Sequence, residues 1–162
     1  MTYDVREIAN FVLDEADGRG VPVTNVFINK IVYFLHGFYL AEKSEPLVRA
    51  KIEAWTYGPV FREVYSEFKS FGRNNITTRA QRVNIDTGEK VVCEPNIQPA
   101  DRDFLRKWLE PLLKMNAFDL VGWSYEHDGP WHKVYYHEGL TNPGMAISND
   151  LIIQHFVKAC KH

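Results

Sequence analysis

The sequence predicts an α+β domain, mainly helical, with a small antiparallel β-sheet or hairpin. Three observations carry that expectation. Apolar residues recur at helical spacing in several separate stretches. Two β-leaning runs, 76–85 and 90–94, flank the turn residues Asp86-Thr87-Gly88-Glu89. A chain of 162 residues, 45% apolar and 25% charged, can bury one core without disulfide or metal staples, so residues 1–162 are read as a single domain.

The first helix is expected over 4–16, where Val5, Ile8, Ala9, Val12 and Ala16 share a face and the glycines at 18 and 20 end it. Thr24 or Asn25 caps a second helix that runs to about Ala41. Its apolar face, from Phe27 and Ile28 through Phe34 and Leu35 to Tyr39, is so wide that the helix must be nearly central. The remaining edge carries Asn25, Asn29, Tyr33 and His36, flanked by Lys30 and Gly37. That edge is either an internally satisfied polar seam or a contact surface, because buried polar groups need partners.

Positions 51–57 read as a short strand. The Gly58-Pro59 turn follows, with Pro59 at the first position of a third helix starting at Val60. Val60, Val64, Phe68 and Phe71 form its inner stripe, with Phe61 and Tyr65 beside it. The 76–94 hairpin comes next. A helix then starts at Pro99-Ala100-Asp101 and ends or kinks at Pro111, since proline lacks an N–H and crowds the preceding turn. A shorter helix spans 118–125, a turn spans 126–131, and Ser148 caps a final helix with Asp150 in its first turn and Lys158 and Lys161 in its last.

Several function classes are disfavoured by what is missing. The longest apolar run, 31–35, is too short to cross a bilayer and the N-terminus has no signal-peptide pattern, so a cytoplasmic protein without a membrane partner is expected. Nineteen basic against 21 acidic side chains argue against a protein built to grip phosphate backbones. A local basic patch, Arg73, Arg79 and Arg82 on the hairpin, keeps a nucleic-acid-contacting regulator as the alternative. Cys93 and Cys160 form no paired motif and are read as reduced thiols.

His127, His132 and His137 stand at intervals of five, which no helix or strand brings together, so no metal and no cofactor are expected. Ser124, His127 and Asp128 are adjacent without a nucleophile motif around them, which leaves a hydrolase-type enzyme using His127 as the weakest reading. An aromatic share of 14% without catalytic groups points instead to a protein-binding module.

The residues that remain carry a family pattern. Thr24-Asn25, Lys30, Tyr33-Phe34, His36-Gly37, Tyr39-Leu40-Ala41 and Pro46-Leu47, followed by Ala54-Trp55, Tyr57-Gly58-Pro59-Val60, Val64-Tyr65, Phe68, Gly72 and Ile76, resemble the Panacea domain of SocA-type antitoxins, which also occurs in proteins labelled phage-associated. His127 with Pro130-Trp131 resembles its third signature. Where that family commonly has Leu-Gln before the lysine this chain has Ile28-Asn29, and Glu126 stands where a threonine usually precedes the histidine.

The resemblance implies a bacterial toxin–antitoxin system in which the chain neutralises a cognate protein toxin by direct binding, without catalysis. Neutralisation would work by covering the toxin or by delivering it to a protease. The partner-binding residues it implies are Lys30, Tyr33, His36, Trp55, Tyr57, Tyr65, His127 and Trp131. Trp55, Tyr57 and Tyr65 are either core or contact, and oligomeric state is left open.

Overall fold

The computed structural model describes residues 2–160. Its elements are α1 (Val5–Gly18), α2 (Asn25–Lys43), β1 (Ile52–Trp55), β2 (Gly58–Val60), α3 (Arg62–Phe68), β3 (Gln81–Val83), β4 (Lys90–Val92), α4 (Pro99–Lys114), α5 (Ala117–Ser124), α6 (Pro130–Tyr135), β5 (Tyr136–His137), β6 (Leu140–Thr141), β7 (Met145–Ile147) and α7 (Asn149–Cys160). This is the mainly helical α+β domain the sequence predicts.

Helix starts are capped by side chains, at Thr24 and Ser148 as expected and also at Asp4. The Asp4 carboxylate accepts from Arg6 N at 2.9 Å, Thr24 Oγ1 from Phe27 N at 3.2 Å, and Ser148 Oγ from Leu151 N at 3.2 Å. Lys161, expected in the last turn of α7, lies outside the described residues. Helix α2 is central: α1, α3, α4, α5, α7 and β2 all pack on it, and Ile28, Ile31, Val32 and Leu35 are fully buried. An apolar face that wide can be covered only by neighbours on nearly every side.

Two local expectations are corrected. Pro59 does not start a helix. The reversal is the two-residue turn Thr56-Tyr57, with Trp55 paired to Gly58, and Gly58–Val60 is an edge strand of the antiparallel sheet β2-β1-β7. An edge strand tolerates a residue without an N–H, so the proline that suited a helix start also suits this strand. Helix α3 therefore begins two residues later, at Arg62. Pro111 in turn does not end α4, which continues to Lys114. Pro111 and Lys107, whose carbonyl loses its donor, are both on the solvent side, while Leu112 and Leu113 hold the last turn in the core.

The β3–β4 hairpin has the expected turn and pairs Arg82 with Val91. A buried residue of α1 fastens the two ends of the hairpin. Asn10 Nδ2 donates to Ala80 O at 3.0 Å and to Cys93 O at 2.9 Å, and Asn10 Oδ1 accepts from Ala80 N at 2.8 Å. Replacing Asn10 by Leu removes the side-chain partner of Ala80 N and Cys93 O, while Ala80 O keeps the bond from Cys93 N at 3.0 Å; each group left unsatisfied costs about 1 to 3 kcal/mol. The variant is expected to unfold earlier in urea and to expose the buried Cys93 thiol to reagents faster than wild type.

Candidate functional site

Four of the eight residues singled out in the sequence meet at one cavity. It has a volume of about 540 Å³ and is walled by Asn25, Val26, Asn29 and Lys30 of α2, by Trp55, Thr56 and Tyr57, and by Val60, Arg62 and Tyr65. Pro143 and Gly144 close it, the latter anchored by Gly144 N donating to Ala54 O at 2.7 Å.

The polar residues of the α2 edge each have a defined job. Asn29 Nδ2 donates to the Asn25 side chain and carbonyl at 3.0 and 3.1 Å, and its Oδ1 accepts from Phe61 N at 3.0 Å, tying α2 to the start of α3. Lys30 is only 2% exposed and donates to Pro59 O at 2.9 Å. Burial pushes its ammonium pKa down to about 7, with no neighbouring charge to offset it. Gly58 makes room: at φ +112° it passes over the ammonium where an added Cβ would lie 3.0 Å from Lys30 Nζ.

The aromatic side of the cavity is braced by charge. Arg62 donates to both carboxylate oxygens of Glu53 at 2.9 and 2.8 Å and lies 5.7 Å from the Trp55 ring centroid. Arg62, helped by Trp55 Nε1, holds the Glu53 carboxyl below the usual carboxylate range. Trp55 and Tyr65 meet edge to face at 4.9 Å. The rim is exposed: Tyr57 is 79%, Val26 54% and Tyr65 40% accessible.

The other four residues lie elsewhere. Tyr33 is buried, edge-on to Phe34 and Phe156, and its phenol is pushed up by burial. His36 is buried with Nε2 2.9 Å from Asn149 Oδ1, and burial pushes its pKa down. Trp131 is buried beside the cavity: its Nε1 donates to Trp55 O at 2.7 Å, and Tyr125 OH donates to Thr56 O at 3.1 Å. Pro130 at the first position of α6 thereby sets a tryptophan that holds the turn presenting Tyr57.

His127 is solvent-exposed on a separate face. The loop before α6 nevertheless draws together two histidines whose spacing argued against it: the His127 and His132 rings are 4.5 Å apart, and one ligand atom from each, with one from Asp128, fall within 4.8 Å of one another. The expectation that these residues do not converge is thus corrected for His127 and His132, because Asp128 at φ 62° reverses the chain between them. That trio has the donor set a divalent transition metal takes.

Val26, Thr56, Arg62, Pro143 and Gly144 complete the cavity and were not singled out in the sequence. Pro143 and Gly144 arrive through β7, a strand too short to announce itself by alternation.

Comparison with known proteins agrees with the residue pattern. Residues 28–132 match the family described as Antitoxin SocA-like, Panacea domain. Antitoxin SocA of Caulobacter vibrioides (strain NA1000 / CB15N) is 35% identical over 149 residues, covering 90% of this chain and 77% of that protein. No solved structure matches. The family segment contains Lys30, Trp55, Tyr57, Val60 and Tyr65, signature residues that line the cavity. The chain belongs to the SocA-like antitoxin, Panacea domain family.

Proposed function

We propose that this chain is an antitoxin that neutralises a cognate protein toxin by direct binding, with the Lys30–Trp55–Tyr65 cavity and its rim as the contact face. The observation that carries the reading is the cavity itself, where family signature residues from α2 and the β1–β2 hairpin meet beneath an exposed aromatic rim. Exposed Tyr and aromatic clusters around a concave centre are the usual anchors of protein interfaces. No helix among the described residues is long and apolar enough to cross a membrane, in keeping with a toxin met in the cytoplasm.

Nucleic-acid contact has less support. Arg79 is bound to Asp14 and Asp17, which leaves Arg73 and Arg82 as the patch's exposed cations without a matching ion pair. The test is co-expression with the product of the neighbouring reading frame. Growth restored by this chain, together with a complex recovered from the cells, supports the reading; no rescue and no complex overturns it. A fall in toxin level on rescue would mark delivery to a protease, and an unchanged level would mark occlusion.

A further inference from the structure

Lys30 is the one charged group in the cavity that the fold leaves uncompensated. Its ammonium has three donors, and the bond to Pro59 O uses one. The charged and titratable groups lining the cavity from the other elements are Tyr57 of the turn, and Arg62 and Tyr65 of α3, with Glu53 of β1 paired to Arg62, while α5 brings the hydroxyl of Ser124 close to the Lys30 ammonium beside Gly58. Glu53 and Arg62 satisfy one another. Ser124 Oγ donates its proton to Val121 O at 2.7 Å and carries no charge to set against the ammonium. No acid is left for the lysine.

Burying an unpaired ammonium is costly, and the usual outcome is a paired or exposed lysine. Here the lysine lines a cavity that Trp55, Val60 and Tyr65 wall together with the polar Asn25, Asn29 and Thr56 and the paired Arg62. The complement of such a site is an anionic oxygen pair on an apolar body. A carboxylate fits better than a phosphate, because a single ammonium supplies few donors and the aromatic walls favour a small, half-apolar group.

We infer that the Lys30 cavity receives a carboxylate of the bound toxin, held by the ammonium while the flanking apolar residues of the toxin pack on Trp55 and Tyr65. The inference rests on the antitoxin reading for the source of the carboxylate, and on the cavity alone for its chemistry. The rim residues Val26 and Tyr57 then enclose the ion pair once the toxin docks, which strengthens it by excluding water.

The chemistry can be tested without the toxin. Labelled protein is titrated at pH 6.5 with phenylacetate and with its uncharged analogue phenylacetamide, following the resonances of Lys30, Trp55 and Tyr65. Phenylacetate is expected to shift them saturably and to bind about tenfold or more tightly than the amide, a difference of roughly 1.4 kcal/mol, and Lys30→Met is expected to abolish that preference. Equal binding of the two compounds, or no binding of either, overturns the inference.

The source is tested in cells. Lys30→Met is expected to stay folded, by circular dichroism and melting, and to lose rescue of toxin-expressing cells that wild type protects. Rescue equal to wild type overturns the inference and leaves the antitoxin reading intact. Failure of wild type itself to rescue overturns the toxin as the carboxylate's source, even if the phenylacetate preference stands.

Discussion

Lys30→Met is expected to be more stable than wild type at pH 6 by about 2 kcal/mol. Wild type carries a buried ammonium whose pKa falls from 10.5 to about 7 on folding. Below pH 7 both folded and unfolded chains hold the proton, and the full desolvation cost is present. Between pH 7 and about 10.5 the unfolded chain binds more protons than the folded one, so stability climbs with pH, at most about 1.4 kcal/mol per unit. Methionine conserves length without the charge. Against the cost removed stands the orphaned Pro59 carbonyl, worth about 1 to 3 kcal/mol.

The difference between variant and wild type should therefore be largest at or below pH 7 and vanish or reverse near pH 10. Chemical denaturation of both proteins across that range measures it. Other groups titrate too: the depressed His36 and His155 act below the range, and the raised phenols of Tyr3 and Tyr125, each pushed up to about 12, act above it. Both proteins share them, so the difference isolates Lys30. A variant less stable than wild type at every pH, with an unchanged slope, contradicts the account. A residue that costs stability and nonetheless stands in the family's first signature is what a binding site, rather than a packing role, explains.

Gly37→Val is expected to destabilise the protein by about 3 kcal/mol, lowering the melting temperature by roughly 6 to 12 °C. Helix α7 crosses α2 at Gly37, and a Cβ there would run into the Phe156 ring. Phe156 has little room to yield, since it is buried edge-on against Tyr33, Phe34 and Phe38. Gly37→Ala should cost less, because alanine regains about 1 kcal/mol of helix propensity while forcing a smaller shift of the ring. The pair of melts separates crowding from propensity. Equal stability of Gly37→Val and wild type would show that α7 does not pack as described.

The periodicity of α2 announced its central place, and the capping residues announced where α2 and α7 begin. What the sequence could not convey was which of two compatible roles a residue takes. Pro59 suits a helix start and an edge strand equally well, and the pairing of Trp55 with Gly58 decides between them. Asn10 lies beside Arg6, Glu7 and Asp14, away from the apolar stripe of α1, and only the hairpin folded against it makes it a buried position.

The same holds for the site. Lys30, Trp55, Tyr57 and Tyr65 were legible because the family pattern marks them, yet only the fold places them around one cavity. Tyr33, His36 and Trp131 carry the same pattern and are buried. Trp131 holds the turn that presents Tyr57, so a signature residue can serve the face without touching its solvent side. Pro143 and Gly144 reach the cavity only because β7 pairs with β1 across a long stretch of chain.

The most direct test of the central claim is hydrogen–deuterium exchange of this chain, alone and in complex with the toxin encoded beside it. Slowed exchange is expected at the N-terminal half of α2 and over 55–65, the segments that wall the cavity, with the β3–β4 hairpin unchanged. A complex whose protection falls on the hairpin or on the His127 face, with the cavity segments exchanging as in the free protein, would contradict it.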